Sequence, residues 1–154
     1  MGKKAYNDQV RTTNANAYRN CRDVFLNKLD SQALAIADFT DEAGTALGHI
    51  DFDTDLPANA IVVGWKAVVS EGFAGDTTAV AQVGISGDVN KYSGVVTPSV
   101  LAAGTVGALG NTDSELATTA QTPRVTVTGG ADFTTIVTAA NGAMVVSLYY
   151  FLAN

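Results

Sequence analysis

The stretch from Leu56 to Ile85, LPANAIVVGWKAVVSEGFAGDTTAVAQVGI, carries the strongest hydrophobic pattern in the chain. From Ile61 to Val69 every second residue is apolar, which is the period of a half-buried β-strand. The segment Glu71–Asp76 contains Gly and Asp, and after it apolar residues alternate again from Ala79 to Ile85. The pattern predicts a β-hairpin whose first strand buries its odd-numbered face.

Shorter apolar runs, separated by turn residues, predict further strands at Ala33–Asp38, Ala46–Phe52 and Arg124–Thr128. Phe133–Ala139 fits either a strand or irregular chain, and Asn141-Gly142 has the residues of a two-residue hairpin turn. Residues 93–122 show no clear strand pattern.

The chain closes with an apolar run, AMVVSLYYFL, at Ala143–Leu152. Only Ser147 interrupts it, so both faces of the strand are apolar. This is typical of a central strand covered on both sides, or covered on one side by a neighbouring subunit. Seven to nine short strands of this kind predict an all-β fold, a β-sandwich such as a jelly roll.

Charge is distributed unevenly along the 154 residues, which is the length of one domain. Residues 1–30 hold six basic side chains against three acidic ones, whereas the other residues hold three against twelve. An acidic body repels phosphate, so nucleic acid is not expected as the main ligand. The basic segment either docks on an acidic partner or is merely solvated.

Residues 1–30 also differ from the rest in their hydrophobic pattern. Residues 1–15 are polar and lack periodicity, which is typical of an arm. From Asn16 to Leu29, apolar side chains at helical spacing predict a short helix; they are Tyr18, Cys21, Phe25 and Leu29. We therefore divide the chain into a basic arm with a short helix, residues 1–30, and a sandwich domain, residues 31–154.

The sequence lacks a recognisable catalytic motif. His49 is the only histidine and has no nucleophile at motif spacing, and Cys21 is the only cysteine. We interpret both as structural residues, although paired carboxylates of the glycosidase type stay open. Gly104, Gly107 and Gly110 are too irregular for a phosphate-binding loop. We expect no enzyme activity, no cofactor and no small-molecule substrate.

Asp51, Asp53 and Asp55 alternate along the chain, and on an extended strand they would point the same way. Carboxylate oxygens suit calcium, but neither the Gly nor the closing Glu of an EF-hand loop follows. A solvated acidic face is the default interpretation, and a metal site is the alternative.

Targeting signals are also missing. The start, MGKKAYNDQV, has no apolar run and no Ser or Thr at position 6, so neither a signal peptide nor myristoylation is expected. No segment approaches the roughly 18 apolar residues of a membrane helix. A single cysteine excludes an intrachain disulfide. These features predict a soluble protein that folds in a reducing compartment without a membrane partner.

The strand-and-turn pattern from Leu56 to Tyr92 resembles that of small virion proteins of tailed bacteriophages. The family pattern has Pro-Ala and an aliphatic strand, then a Phe-x-Gly-x-Thr turn, which corresponds here to Phe73–Thr77. A Val-Gly strand, an acidic turn and an aromatic residue follow. The resemblance covers about residues 57–152, since the Thr-rich strand, the Gly-Ala-Asp turn and the final Tyr-rich strand also fit.

This resemblance implies a β-sandwich protein that decorates and cements an icosahedral head. It also implies a homotrimer, the major capsid protein as partner, a place on the capsid surface and synthesis in the host cytoplasm. We expect the basic residues of the arm to contact the capsid; they are Lys3, Lys4, Arg11, Arg19, Arg22 and Lys28. Another phage head or tail component, or a carbohydrate-binding module, is the alternative.

Overall fold

The computed structural model describes residues 26–95, 97–109 and 116–153, which form two antiparallel sheets. The larger sheet contains β1 (Asn27–Asp30), β2 (Leu34–Ala35), β5 (Ala60–Glu71), β7 (Gly104–Leu109) and β9 (Ala143–Leu152). The smaller sheet contains β3 (Thr40–Asp41), β4 (Leu47–Asp51), β6 (Ala79–Gly84) and β8 (Arg124–Gly129). A 3₁₀ turn, Ile36–Asp38, and one short helix, α1 (Thr134–Ala139), complete the described elements.

The strand order of the two sheets is β1-β9-β5-β7, with β2 also paired to β9, and β3-β4-β8-β6. A further short segment extends the smaller sheet, because Ser99 bridges Val80 and Val100 N–H donates to the Ala79 carbonyl at 2.8 Å. The strands can be renumbered from 1 to 8 along the chain if β2 and β3 are omitted and this segment is counted as strand 5. The strand orders of the two sheets are then 1-8-3-6 and 2-7-4-5. That is the order of a jelly roll, so the predicted fold class is confirmed.

The predicted hairpin of residues 56–85 is wrong as a pairing, although both of its strands exist. β5 pairs with β7 and β9, whereas β6 pairs with β8 in the opposite sheet. The residues between them cross from one sheet to the other, and Phe73 is fully buried there. Alternation of apolar residues reports which face of a strand is buried, but it does not report which strand is its neighbour.

The buried face of β5 changes along the strand. Near the start of the strand the even-numbered residues Ala60 and Val62 are buried. Further along the strand the odd-numbered residues Trp65, Ala67 and Val69 are buried instead. The switch occurs at a β-bulge, where the partner of Val62 is Tyr150 and the partner of Gly64 is Tyr149. The predicted odd-numbered face is therefore correct from Trp65 onward and wrong at Ile61 and Val63.

The segment predicted as strand or irregular chain at Phe133–Ala139 forms α1 instead. Thr134, Thr135 and Val137 are β-branched and disfavour a helix on their own. Two contacts outweigh that preference: the Asp132 carboxylate accepts from Thr134 N–H at 3.0 Å, and Ile136 is buried in the core. Asn141-Gly142 consequently connects a helix to β9 and does not close a hairpin.

The bounds of one predicted helix and of three predicted strands can also be compared with the structure. The helix predicted for Asn16–Leu29 is wrong at its C-terminal end, because residues 27–30 form β1 and pair with β9. The rest of that helix lies outside the described residues. Ala33–Asp38 divides into β2 and the 3₁₀ turn. Ala46–Phe52 contains β4 as predicted, and the strand predicted at Arg124–Thr128 is β8, which extends one residue further to Gly129.

Strand β7 has no hydrophobic pattern in the sequence, because glycine replaces side chains along it. Gly107 lies so close to β5 that a Cβ atom would be 2.4 Å from the Trp65 carbonyl oxygen. The prediction that residues 143–152 form a central strand is confirmed, because β9 pairs with β5 on one side and with β1 and β2 on the other.

The core lies between the inner faces of the sheets, and its aromatic centre is built around Phe133. This ring is fully buried, and its centroid lies 6.1 Å from that of Phe39. It also lies against Gly48 of β4, where a Cβ atom would be 2.0 Å from the ring. The absence of a side chain at position 48 is thus what admits the ring.

We predict that Gly48→Ala lowers the free energy of unfolding by about 1–3 kcal/mol, since the added methyl overpacks the core. Phe133→Leu should relieve the clash, so the double variant should lose less than the sum of the single variants. Urea unfolding of the three variants measures this. Additive losses would contradict the proposed contact.

One ion pair joins β4 to β8 on the outer face of the smaller sheet. Arg124 donates from Nε to Oδ1 of Asp51 at 2.6 Å and from Nη2 to Oδ2 at 3.0 Å. The hydrogen bond from Arg124 is the main reason that the pKa of Asp51 lies below its ordinary value, and burial partly opposes it. A carboxylate with a lowered pKa stabilises the fold above its unfolded pKa of about 4, and this contribution is lost as the pH falls.

We predict that Asp51→Asn destabilises the protein at about pH 7 but has a smaller effect at about pH 3, which lies below the pKa of aspartate in the unfolded chain. Urea midpoints at both pH values measure the difference. Asp38→Asn is the matched control, because Asp38 is exposed and has no ion pair or side-chain hydrogen bond among the described residues. An equal loss for Asp51→Asn at both pH values would show that the ion pair does not contribute.

Candidate interface on the outer face of the larger sheet

The outer face of the larger sheet is built mainly from alternate residues of β9 and β5. In β9, Met144, Val146 and Leu148 are buried in the core, so the residues between them point to the opposite side. In β5, the residues after the bulge do the same, and Val68 is the direct partner of Val145. Val68 is 43% exposed and Val145 is 38% exposed. The described residues therefore leave an apolar pair open on a central strand.

A row of polar groups crosses the same face. Lys28 Nζ lies 2.8 Å from Oδ2 of Asp30, and the Ser147 hydroxyl donates to Oδ1 of Asp30 at 2.6 Å. Lys66 stands on the far side of Ser147 in the β5–β9 register. The hydrogen bond from Lys28, followed by that from Ser147, lowers the pKa of Asp30 below its ordinary value. The carboxylate is thus charged at neutral pH and has partners.

Apolar side chains lie on both sides of this polar row. Val68 and Val145 lie towards one end of the sheet, and the pair Ile61 and Phe151 lies towards the other. Tyr149, which is partly buried, stands opposite Gly64. The exposed apolar side chains make this face a candidate for contact with another protein surface.

Of the six basic residues predicted to contact a partner, the structure places one. Lys28 lies on this outer face, where its partner is Asp30. The other five, namely Lys3, Lys4, Arg11, Arg19 and Arg22, lie outside the described residues. The apolar pair Val68 and Val145 was not among the predicted site residues. The sequence does indicate an exposed apolar face at this strand, because β9 has apolar residues on both of its faces.

The three alternating aspartates do not form a metal site. β4 ends at Asp51, so Asp53 and Asp55 follow in a loop and the predicted common direction is wrong. Asp51 binds Arg124, and Oδ1 of Asp55 accepts from the Thr122 hydroxyl at 2.6 Å. Within the described ranges, no group of three or more His, Cys, Asp or Glu side chains could hold a metal ion.

His49, the only histidine, lies on β4 with Nδ1 3.0 Å from Oε1 of Glu42. Its register partners are Thr40 of β3 and Thr126 of β8. The other residue considered for chemistry, Cys21, lies outside the described residues. No helix in the described part of the chain is long and apolar enough to cross a membrane.

Comparisons with known proteins show a likeness of fold. No known protein family matches the chain, and no curated protein sequence matches it. A solved structure described as the cyanophage Pam1 capsid asymmetric unit contains a chain that is similar over 84% of this chain and 86% of its own length. Its TM-score is 0.51 at 16% identity. A chain in the structure of tomato aspermy virus matches 85% of this chain and 79% of its own length, with a TM-score of 0.44 at 7% identity. The fold of this protein is thus similar to that of a chain in a phage capsid structure.

Proposed function

We propose that this protein is a structural component of a virus particle, and that it decorates and cements the icosahedral head of a bacteriophage. The observation that carries the proposal is the jelly-roll strand order, together with the likeness to a phage capsid chain over most of both lengths. The strand-and-turn resemblance of residues 57–152 to small phage virion proteins supports the same function. The protein acts in this proposal by binding, without catalysis.

The proposed partner is the major capsid protein, and the proposed effect is mechanical. A cement protein buries surface across the boundary between capsid subunits, so internal pressure must break that additional interface before the subunits part. A stable interface of this kind buries at least about 1,000 Å². We propose a homotrimer with closed cyclic symmetry, because the phage head proteins that the strand-and-turn pattern resembles are often trimers.

Charge suits contact through the N-terminal segment. Residues 1–25 contain five basic and two acidic side chains, whereas the remaining residues contain four basic and thirteen acidic ones. The acidic body repels an acidic capsid surface, while the N-terminal segment is attracted to it. The basic residues of this segment are therefore the proposed capsid contacts.

We predict that the purified protein binds phage heads that lack it and raises the temperature at which those heads release DNA. Co-sedimentation and a dye that reports released DNA measure the two effects. Sedimentation velocity of the free protein tests the proposed trimer separately. Protein that neither binds nor stabilises such heads would contradict the cement function, whereas binding by a monomer would contradict the trimer alone.

We predict that replacing Lys3, Lys4, Arg11, Arg19 and Arg22 with Gln weakens head binding by about 30-fold. Exposed ion pairs contribute about 0.2–1 kcal/mol each, so five pairs at about 0.4 kcal/mol contribute about 2 kcal/mol together. Salt should weaken the wild-type protein more than the variant. Lys66→Gln with Lys91→Gln is the control, since both residues belong to the sandwich. Equal binding by the variant and the wild type would exclude the segment as the contact.

A truncation that tests the same contact should remove residues 1–25 and retain β1. Deletion of residues 1–30 would remove the strand that pairs with β9 at Leu148, Tyr149 and Tyr150. Loss of binding in that longer deletion would then report damage to the sheet. The shorter deletion leaves all described strands in place.

A carbohydrate-binding function is the second candidate, and one observation favours it. Tyr149 and Phe151 are both partly exposed on the outer face of β9, two positions and hence about 7 Å apart. Aromatic side chains at this spacing on a flat sheet can stack on sugar rings. A glycan array separates the two functions: specific glycan binding that Tyr149→Ala abolishes would favour the carbohydrate-binding module.

A further inference from the structure

The edge strands of the sandwich differ in how well they are protected from pairing with another chain. Proteins usually protect an edge by short length, by charged side chains or by proline. Of the four sheet edges among the described residues, three have such protection. β1 carries the ion pair of Lys28 with Asp30, β3 is two residues long, and Pro98 belongs to the segment that pairs with β6. The fourth edge is β7.

β7 has none of these protective features. Its sequence, GTVGAL, contains neither a charged residue nor proline. It lies at the end of the larger sheet, and within the described ranges only β5 pairs with it. Residues 104–107 are exposed or half-buried. An uncharged and exposed edge of six residues is a ready template for one more strand.

The direction of the backbone groups of β7 follows from a hydrogen bond on the far side of the sheet. Ser31 N–H donates to the Val146 carbonyl at 2.8 Å, so Val146 directs its backbone groups away from β5. Its register partner on β5, Ala67, therefore directs its own groups away from β9 and toward Val106 of β7. Val106 is thus hydrogen-bonded to β5.

The other residues of β7 alternate around Val106, because the register with β5 is continuous along the whole strand. The N–H and C=O groups that point away from β5 are consequently those of Thr105, Gly107 and Leu109. No other described strand pairs with them. Backbone donors and acceptors at every second residue of an extended chain match the groups of another extended chain. The chemistry of this edge therefore selects a β-strand as its partner.

We propose that β7 of a second copy fills this edge, antiparallel to the first and related to it by a twofold axis. The register that we propose is centred on Gly107, which pairs with itself across the axis. Thr105 of each copy then pairs with Leu109 of the other. Each of these pairs exchanges two N–H···O bonds, so every outward group of the edge is used. The larger sheets of the two copies join into one.

Two properties of β7 favour a copy of itself over an unrelated strand. Identical strands face each other in a twofold pairing, so a charged strand would meet its own charge, and β7 has none. The centre of the pairing also has no side chain, because a Cβ atom at Gly107 would lie 2.4 Å from the Trp65 carbonyl oxygen. A twofold contact is closed by two copies and is distinct from the contact of the proposed trimer. The inference goes beyond the virion function and does not depend on it.

Hydrogen exchange measured by NMR tests the proposal in the unsubstituted chain. We expect the amide protons of Thr105, Gly107 and Leu109 to exchange more slowly as the protein concentration rises from micromolar to millimolar, because a second strand protects them. Val106 and Ala108 are the internal controls, since β5 already protects them and their exchange should change less. Exchange at the three outward amides that does not depend on concentration would overturn the proposal.

Thr105→Pro removes one outward N–H and keeps the hydrogen bonds between Val106 and β5, which is where an edge strand admits proline. Both symmetry-related bonds from Thr105 to Leu109 are lost, at a factor of about five each, so we expect the dissociation constant of the pairing to rise about 25-fold. Thr105→Val is the matched control, because it retains the N–H, and it should pair like the wild type. Sedimentation velocity measures the pairing as a doubling of mass.

Two results of sedimentation would overturn the proposal: no doubling of mass by the wild type over the same concentrations, or equal pairing by Thr105→Pro and Thr105→Val. If Thr105→Pro fails to fold, as circular dichroism would show, the exchange measurement decides, since it needs no substitution. Slower exchange at the outward amides that appears only when phage heads are added would show that another protein supplies the strand. That result would overturn the second copy as the partner, whereas head binding itself reports on the virion function.

Discussion

The pairing of β9 with β5 is the interaction on which the rest of the fold depends. It joins the last strand of the chain to a strand at residues 60–71, and it runs nearly the whole length of both. β9 also holds β1 and β2 on its other edge. The larger sheet therefore cannot form until β9 has paired with its three neighbouring strands.

The second constraint is the crossing between β5 and β6, because it forces one chain segment to serve both sheets. Phe73 fills the interior at the crossing, with its ring 5.7 Å from that of Phe39. The Asp76 carboxylate then ties the crossing to the turn after β8, since its Oδ2 accepts from Gly130 N–H at 2.7 Å. That hydrogen bond also lowers the pKa of Asp76 below its ordinary value. The buried ring of Phe73 and the carboxylate of Asp76 thus hold the same crossing segment in place.

The sequence predicts the strands of this fold better than it predicts their partners. β4, β8 and β9 follow from periodicity alone, because each has one or two apolar faces. Strand β7 leaves no pattern, since Gly104 and Gly107 have no side chains and Gly107 lies where two backbones approach closely. The bulge at Val63 and the helix at Thr134–Ala139 depend on contacts with distant residues. Of the candidate interface, the excess of apolar residues in β9 is visible beforehand, but its pairing with Val68 requires the register.

The two outer faces of the sandwich differ in the side chains that they expose. On the smaller sheet, His49, Thr128 and the Asp51–Arg124 pair are at least partly exposed on the outer face. On the larger sheet, the polar row of Lys28, Asp30 and Ser147 is internally satisfied, so it needs no external charge to neutralise it. A covering element gains little from that row and more from the apolar side chains on either side of it. Apolar surface, rather than charge, is therefore the feature of the larger sheet that favours contact with another protein surface.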